Sequence, residues 1–535
     1  MVNLQKRVEG WPHVRGRYLS SSEERPASLQ PFEGTHRAAE EVSKKRLVIK
    51  PPTAEREYLA AACGSRLSSI CLTTGEVAST WTANGETGET SGKEKLADTG
   101  EDADGPPAKK QKTAASSATG APNIIKLTSS SDGRHAVAVT DDKNVRVFEV
   151  HDDGKLVELT QRAMPKRPCA IQVLPDNSTI LCGDKFGDVY GLPLLPELQP
   201  EAQERATIES PAMTPSNETK ASFKPSATTQ TVHTKRNLKS LESQMKQKNL
   251  TPKTKQPLAF EHKLLLGHVS MLTDLTYASC HVDGKERGYI ITADRDEHIR
   301  LSRAPPQSHI IEGYCLGHTQ FVSKILAIPS TNLLVSGGGD EWIGVWDWPS
   351  STLRWKVESF GDSFRQAQGD SLAPPIAVSG IWLVPADLDG NVEGVVIVAC
   401  EKMSVLAYCP VSELRDCAPG RQPRWSFERF DHTILEVVAT GSMVVVSFDA
   451  RAQDQQRLKA YELRITRDEQ NVHSVTSRAA KHTQALLDKA NGTTSETVSD
   501  KALDDMFYGI AKLCKRPRDE AAVEEAEEEA ADAAD

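Results

Sequence analysis

The chain has 535 residues and a formal net charge of −10, from 64 basic and 74 acidic side chains. Hydrophobic residues make up 38% of it, below the roughly 45–50% of a packed globular chain, so part of the sequence is expected to be disordered. No apolar run approaches the about 18 residues of a membrane span, and residues 1–10 lack the apolar block of a signal peptide, which predicts a soluble protein that is not secreted.

The acidic balance belongs to one end of the chain. Residues 519–535 contain nine acidic and no basic side chains, so the remaining chain is close to neutral. The ten cysteines include no CxxC pair and no Cys/His cluster at metal-ligand spacing, which argues against a disulfide framework and predicts no metal site.

Composition divides the chain into three parts. Residues 1–46 are polar and predicted to be a disordered N-terminal segment. Residues 47–465 carry the β-branched runs of an ordered domain, interrupted by low-complexity insertions at 82–122 and 196–262. Residues 466–535 are predicted to be a C-terminal extension with short helices, a basic cluster and an acidic tail.

Short β-branched runs bounded by Gly, Asp, Asn and Ser recur through the ordered domain without a long segment of helical period. They form seven units of about 44 ordered residues each, the length of a four-stranded propeller blade of the WD type. The predicted fold is therefore all-β: a seven-bladed WD-type β-propeller with disordered insertions and tails. Leu47-Val48-Ile49 is a candidate for the N-terminal strand that completes the last blade and closes the ring. The units are residues 58–81, 124–150, 169–195, 264–303, 312–357, 376–410 and 425–463.

One unit carries all the residues of the hydrogen-bond chain that is typical of such a blade. In that chain an opening His, a strand Ser or Thr, a turn Asp and a strand Trp tie the outer strands to the inner ones. The four positions are supplied by His318, Ser336, Asp340 and Trp346.

The preceding unit has an incomplete set. His268 opens the unit and Thr292 lies in its strand, while Ser302 stands where the Trp is expected. Asp296 is the candidate for the turn aspartate. One complete set beside a partial one favours the WD class of propeller.

No catalytic chemistry emerges from the motifs. The sequence has no GxGxxG, Walker, GxSxG or HExxH motif, and its ordered part lacks the alternating helices of a doubly wound sheet. A blade turn explains the glycine cluster at 337–339 better than a phosphate cradle does. His268 and His318 are expected to be structural residues and not catalytic bases. The chain is predicted not to be an enzyme, with no catalytic residue of its own.

Basic segments are the second functional signal. Residues 220–255 hold nine Lys or Arg against one acid, which suits either contact with an RNA backbone or a solvated insertion. The candidate RNA contacts are Lys235, Arg236, Lys239, Lys246 and Lys248. Two shorter clusters resemble nuclear-import signals and favour a location in the nucleus. Their basic residues are Lys109, Lys110, Lys112, Lys515, Arg516 and Arg518.

Three blocks of the fourth and fifth units are specific beyond the WD pattern. They are LLLGHVSMLTD at 264–274, ITADRDEHIRLS at 291–302 and HIIEGYCLGHTQFVS at 309–323. In this order they closely resemble the non-catalytic WD-repeat subunit of the tRNA guanine-N7 methyltransferase. The large insertions resemble those of a fungal member.

The resemblance implies a mechanism. In this family a separate Rossmann-type subunit binds S-adenosylmethionine and methylates N7 of a guanine in the tRNA variable loop. The WD-repeat subunit docks on it as a heterodimer beside the tRNA and stabilises its active conformation. For this chain the resemblance implies a scaffold in tRNA modification that has no cofactor, no membrane association and no small-molecule substrate of its own.

In relatives, charged residues on the strand and turn of the fourth blade contact the catalytic subunit. Arg300 matches a basic residue that pairs with an acidic group of the partner, and His298 stands where many relatives have Lys. Asp296 could instead be the turn aspartate, or serve both roles, and Arg300 could be a solvated edge charge, although the surrounding motif favours an interface. The partner-binding positions carried over are Asp296, Glu297, His298 and Arg300.

Two other functions remain open at this point. One is a generic WD-repeat scaffold of another nuclear complex, in chromatin or ribosome assembly. The other is an enzyme with an unrecognised site, which would need a convergent polar cluster that the sequence does not reveal. Co-purification separates the family function from a generic scaffold. The family function predicts one small Rossmann-type methyltransferase as the partner, whereas a generic scaffold predicts several larger partners.

Overall fold

The computed structural model describes residues 43–49, 56–83, 121–196, 260–369, 375–388, 391–417, 421–440, 443–451, 457–467, 473–490 and 500–515. Within these ranges the chain forms 28 strands, four short α-helices and one 3₁₀ turn. No helix in this part of the chain is long and apolar enough to cross a membrane.

The first sixteen strands form four antiparallel sheets, each made of four consecutive strands. The first sheet contains β1 (Ser43–Ile49), β2 (Tyr58–Cys63), β3 (Arg66–Cys71) and β4 (Val77–Thr82). The second contains β5 (Ile124–Ser129), β6 (His135–Thr140), β7 (Asn144–Val150) and β8 (Leu156–Ala163). The third contains β9 (Pro168–Val173), β10 (Thr179–Asp184), β11 (Asp188–Pro193) and β12 (Lys263–Gly267). The fourth contains β13 (Leu272–Val282), β14 (Lys285–Asp294), β15 (Ile299–Arg303) and β16 (Ile311–Cys315).

Three further groups of four strands complete the set, and a single parallel pair between Asp387 and Arg464 joins the last two. The fifth group is β17 (Val322–Ala327), β18 (Leu333–Gly338), β19 (Ile343–Asp347) and β20 (Thr352–Val357). The sixth is β21 (Val378–Leu388), β22 (Asn391–Cys400), β23 (Val405–Pro410) and β24 (Ser426–Arg429). The seventh is β25 (Ile434–Thr440), β26 (Met443–Phe448), β27 (Leu458–Arg467) and β28 (His473–Ala479). The helices are α1 (Phe360–Gln368), α2 (Val411–Asp416), α3 (Lys481–Ala490) and α4 (Asp500–Phe507), followed by the 3₁₀ turn Ala511–Leu513.

The first strand of each sheet lies at the centre of the assembly. Strands β1, β5, β9, β13, β17, β21 and β25 each pack against the first strands of the two neighbouring sheets, and β25 returns to β1. The seven sheets therefore close into a ring. This architecture is a seven-bladed β-propeller of the WD type, as the repeat length predicts.

Ring closure differs from the expected arrangement. Leu47-Val48-Ile49 does not complete the last blade, because β1 pairs with β2 as the innermost strand of the first sheet. The seventh sheet supplies its own outer strand, β28, which lies beyond the predicted domain boundary at residue 465. Its sequence, HSVTSRA, has one large apolar residue, Val475, so composition alone assigned it to the C-terminal extension.

The core lies between neighbouring sheets, and β22 illustrates how it forms. Alternate side chains of a strand point to opposite faces. Val396 and Val398 pack into one apolar cluster, with residues of the fifth sheet, while Val395, Ile397 and Ala399 pack into another, with residues of the seventh. All five are fully buried. A strand that is covered on both faces explains the continuous apolar run in the sequence.

The fifth sheet holds the complete hydrogen-bond chain. Trp346 Nε1 donates to Ser336 Oγ at 2.7 Å, and this hydroxyl lies 2.7 Å from His318 Nε2. His318 Nδ1 lies 2.7 Å from Asp340 Oδ2. An imidazole protonated on Nδ1 satisfies every one of these groups. The structure thus brings together the four residues expected to form this chain, all of them buried.

In the fourth sheet the turn aspartate is Asp294, and Asp296 does not take part in the chain. His268 Nε2 lies 2.7 Å from Thr292 Oγ1, and His268 Nδ1 lies 3.2 Å from Asp294 Oδ2. The other oxygen of Asp294 accepts the backbone N–H groups of Asp296 and His298. Asp294 therefore closes the turn, and the side chain of Asp296, which is 45% exposed, is available for another role.

This correction has a geometric origin. In the fifth sheet the aspartate follows the strand Ser by four residues, with three glycines between them. The two turns are equally long, since Thr292 pairs with Arg300 and Ser336 pairs with Gly344, eight residues further along in each case. Asp294 follows Thr292 by only two residues, and from this earlier position in the turn its carboxylate still lies beside the same imidazole nitrogen. Counting from the fifth unit therefore gives the wrong residue in the fourth.

The two aspartates predict opposite effects on stability. Asp294→Ala leaves the ring of His268 and two backbone N–H groups without their acceptor, so we expect a loss of about 2–3 kcal/mol in the free energy of unfolding. Asp296→Ala should change it by less than about 0.5 kcal/mol, because its side chain is exposed. Urea denaturation of the purified chain measures both. Equal losses would contradict the assignment of Asp294 to the turn.

The carboxyl of Asp340 predicts a loss of stability in acid. Burial raises its pKa, but hydrogen bonds from His318 and Thr319 outweigh burial, and the net pKa lies below the ordinary 3.8. A carboxyl with a lowered pKa in the folded state stabilises the fold above about pH 4 and loses this contribution as pH falls through the folded pKa. Unfolding free energies measured from pH 6 to pH 3 should therefore fall less steeply for Asp340→Asn than for the wild type; parallel curves would refute this.

Candidate docking site

The site lies where the third and fourth sheets meet. Within each sheet, the turn between its second and third strands lies at the same end of the ring as the loop that leads in from the preceding sheet, because neighbouring strands are antiparallel. The β12–β13 loop, the β14–β15 turn and strands β15 and β16 enclose a cleft of about 420 Å³ there. Its lining residues are Gly267, His268, Val269, Ser270, Asp294, Asp296, His298, Arg300, Tyr314 and Leu316.

Apolar side chains surround this cleft at the surface. Val269 is fully exposed, Leu316 is 62% exposed and Tyr314 is 40% exposed. Large exposed apolar side chains grouped beside a cleft are typical of a surface that another protein covers.

The charged centre of the cleft results from a difference in residue type at equivalent positions of the fourth and fifth sheets. In the fifth sheet Gly344 lies opposite Ser336 in the strand pairing, which leaves room for the indole of Trp346. The far edge of that indole comes within 3.3 Å of the position that a Cβ on Gly317 would occupy. Trp346 therefore bridges Ser336 and Gly317, the glycine that precedes the opening His318 and is called the opener glycine below.

In the fourth sheet an arginine takes the place of the indole. Arg300 lies opposite Thr292, and Ser302 stands at the tryptophan position. Arg300 Nε donates to Ser302 Oγ at 3.0 Å, and Nη1 donates to the carbonyl of the opener Gly267 at 2.8 Å. The guanidinium therefore fills the space in the fourth sheet that the indole of Trp346 fills in the fifth.

Arg300 carries a charge that no carboxylate neutralises within the described part of the chain. The residue is 8% exposed and burial lowers the pKa of its guanidinium, yet within the described ranges it bonds only a hydroxyl and a carbonyl, with no carboxylate at ion-pair distance. Buried cations are normally paired with an acidic group. Arg300 is thus not a solvated edge charge, and its place in the cleft suits an acidic group from outside the chain.

The β14–β15 turn supplies the acidic part of the site. Asp296 and His298 line the cleft, and Glu297 lies between them with a left-handed φ of 77°. Lys515 Nζ lies 3.2 Å from Asp296 Oδ1 and 3.0 Å from Glu297 Oε1, and these two carboxylates raise the pKa of Lys515. The structure brings all four predicted partner-binding positions to one place, and it adds Lys515 to them.

An exposed aromatic residue and two cations lie beside the cleft in the third sheet. Phe186, in the β10–β11 turn, is 54% exposed, with Lys166 Nζ at 4.2 Å and Lys185 Nζ at 5.3 Å from its ring centroid. This turn touches the cleft, since a side chain on Gly187 would collide with the backbone of the β12–β13 loop. Sequence reasoning missed this patch, although the run Lys185-Phe186 in a polar turn was a signal for it.

Several predicted residues lie outside the described part of the chain. They are the RNA-contact candidates Lys235, Arg236, Lys239, Lys246 and Lys248 and the import-signal residues Lys109, Lys110, Lys112, Arg516 and Arg518. Among the described residues, no group of three or more His, Cys, Asp or Glu side chains is arranged to hold a metal ion. The ten cysteines are free thiols, and Cys514 is the exposed one.

Comparison with known proteins assigns the family. Residues 59–475 match the family model described as tRNA methyltransferase TRM82 WD40 domain. A solved chain from "Crystal Structure of Mitotic Checkpoint Complex" superposes with a TM-score of 0.41 at 10% identity, over 84% of this chain and 99% of that one, a likeness too weak to carry an argument.

The relatives share one description, tRNA (guanine-N(7)-)-methyltransferase non-catalytic subunit. The protein from Coccidioides immitis is 50% identical over 52% of this chain and 54% of its own length, so the alignment spans about half of that relative. The protein from Aspergillus oryzae is 40% identical over 74% of this chain and 78% of its own length. The protein from Phaeosphaeria nodorum is 39% identical over 74% of this chain and 83% of its own length. The chain belongs to the TRM82 family of WD40-domain proteins.

Proposed function

We propose that this chain is the non-catalytic subunit that binds and stabilises a tRNA guanine-N7 methyltransferase subunit. Membership of the TRM82 family and the names of the relatives support this function. The observation that carries it is Arg300, a buried guanidinium that pairs with no carboxylate of the described residues, in a cleft with exposed apolar residues around it.

In this proposal the catalytic subunit inserts an acidic side chain into the cleft. Arg300 is held by Ser302 and Gly267, so its remaining N–H groups are oriented before binding. A preorganised guanidinium loses little rotamer freedom when it pairs with a carboxylate, and a carboxylate–guanidinium pair enclosed by apolar residues is a strong contact. Val269, Leu316 and Tyr314 would exclude water around it.

The chemistry itself belongs to the partner in this proposal. The catalytic subunit binds S-adenosylmethionine and transfers the methyl group, while this chain holds that subunit in a heterodimer and has no cofactor of its own. The basic clusters that resemble import signals support our proposal that the complex acts in the nucleus.

We also propose that the third sheet contacts the tRNA beside the docked partner. An aromatic face flanked by cations suits RNA, since bases stack on aromatic rings and ammonium groups attract phosphates. Phe186, Lys166 and Lys185 have this arrangement, and their turn adjoins the cleft. The backbone of the turn is held by hydrogen bonds from the N–H of Lys185 to the carbonyl of Arg167 and from the N–H of Gly187 to the carbonyl of Asp184.

Replacing Arg300 tests the docking proposal. We expect Arg300→Met to lose about 2–5 kcal/mol of binding free energy for the catalytic subunit, because a partner carboxylate would be left buried and unpaired. Co-purification of the co-expressed catalytic subunit and methyl transfer to guanine N7 of tRNA should both fall. The midpoint of thermal unfolding, measured on the same protein, reports any loss of fold.

Arg146→Met is the matched control. Arg146 occupies the same strand position in the second sheet and is also buried, but it pairs with Glu158 at 2.6 Å inside its own fold. This variant should lose stability and still retain the catalytic subunit. Retention of the partner by Arg300→Met, or its loss by both variants alike, would contradict a specific role for Arg300.

Charge reversal tests the RNA-contact patch. We expect the double variant Lys166→Glu, Lys185→Glu to weaken tRNA binding by the complex about tenfold or more. The slope of the logarithm of the binding constant against the logarithm of salt concentration should fall by the amount that corresponds to about two phosphate contacts. Fluorescence anisotropy with labelled tRNA at several salt concentrations measures both. The catalytic subunit should still co-purify, because the cleft is unchanged.

The control pair changes the same charge at the opposite end of the ring. Lys155 lies in the β7–β8 turn, and Lys285 begins β14 directly after the β13–β14 turn. Both side chains are exposed, and both turns face away from the cleft. Reversing both should leave tRNA binding nearly unchanged. If both pairs weaken binding equally, the effect is one of net charge and the patch is not a contact.

A further inference from the structure

We propose that residues 500–515 form a strap that occupies the acidic turn of the docking site from within the chain, and that the catalytic subunit must displace the tip of this strap when it binds. This inference rests on the proposed function. It concerns a contact that the sequence did not suggest, because Lys515 and Glu297 are 218 positions apart.

One end of the strap is firmly attached to the seventh and sixth sheets. Tyr508 Oη donates to Asp449 Oδ2 at 2.5 Å, and Arg451 pairs with Asp504 at 2.6 Å. The carboxylate of the buried Glu401 accepts three successive backbone N–H groups, those of residues 509–511, at 2.6–2.8 Å. Several N–H groups that converge on one carboxylate make a strong, directional anchor.

The other end of the strap is weakly held. Arg295 Nε donates to the carbonyl of Leu513 at 2.9 Å, and Cys514 Sγ lies 3.4 Å from Gln320 Oε1. Lys515 ends the described segment with its ion pairs to Asp296 and Glu297, and its side chain is 49% exposed. Exposed ion pairs contribute little to stability, so this tip can leave while the anchor at Glu401 stays in place.

Occupation by Lys515 conflicts with docking at the same residues. The ammonium group lies between both carboxylates of the turn, and Asp296 also lines the cleft. A partner that approaches the cleft meets a turn whose two carboxylates are already paired with one ammonium group. The contact that replaces Lys515 has the same chemistry, so we infer that the catalytic subunit presents a lysine or arginine to Asp296 and Glu297 beside the acidic group that it presents to Arg300.

The strap contains a cysteine to which a spin label can be attached. Cys514 is the exposed cysteine of the chain, and it lies beside Lys515 at the tip. A nitroxide attached to Cys514 of the full-length chain reports the mobility of the tip by electron paramagnetic resonance. Binding of the catalytic subunit is measured on the same preparations.

Lys515→Ala is the test, and Lys489→Ala is the matched control, because Lys489 is another exposed lysine of the C-terminal region, in α3. We expect the label in Lys515→Ala to be more mobile before any partner is added, and the label in the wild type to become mobile when the catalytic subunit binds. Loss of the competing contact should raise the affinity of Lys515→Ala for the catalytic subunit about two- to fivefold, the effect of one exposed ion pair. Lys489→Ala should match the wild type in both measurements.

Three results would overturn the proposal. Equal mobility of the label in Lys515→Ala and wild type would mean that the tip does not hold the turn in solution. Equal or weaker affinity of Lys515→Ala would mean that the strap does not compete with the partner. If neither the wild type nor any variant binds the catalytic subunit, the proposed function is wrong, and so is the proposed competition. The label then still reports whether Lys515 contacts Asp296 and Glu297 within the chain.

Discussion

The ring of seven first strands is the constraint on which the functional face depends. Because these strands pack side by side and each sheet is antiparallel, the turns between second and third strands all emerge at one end. The turns that carry Lys185, Glu297, Glu401 and Asp449 are far apart in the sequence and yet belong to the same face. The cleft, the aromatic patch and the anchor of the strap are consequences of this single arrangement.

The candidate docking site departs from the WD pattern at one pair of positions. Gly344 and Trp346 in the fifth sheet correspond to Arg300 and Ser302 in the fourth. Both pairs fill the space between the strand hydroxyl and the opener glycine, so either arrangement holds the sheet together. The tryptophan is neutral, whereas the arginine places in the cleft a charge that no carboxylate among the described residues neutralises. Because the fifth sheet fills the same space with a neutral side chain, folding does not require a charge there, and binding explains the arginine better.

Sequence reasoning captured what repeats and missed what depends on exceptions. The seven units and the chain from His318 to Trp346 could be predicted, because each blade applies the same local pattern. The turn aspartate of the fourth sheet was assigned to Asp296 and is Asp294, because the aspartate stands two positions earlier in a turn of the same length. Strand β28 was placed in the C-terminal extension because its exposed face is polar. The contact of Lys515 with Glu297 has no local signal, since it depends on how the C-terminal region crosses the completed ring.

The unequal attachment of the strap bears on how the site selects its partner. The anchor at Glu401 keeps Lys515 at a high effective concentration beside the acidic turn, so even a weak ion pair remains occupied against single cations from solution. A binding protein overcomes this competition only if it makes other contacts at the same time. The cleft offers those contacts at Arg300 and at the apolar residues around it. A partner must therefore match an acidic group to Arg300 and a basic group to the turn, and this pairing of opposite charges discriminates against proteins that carry only one of them.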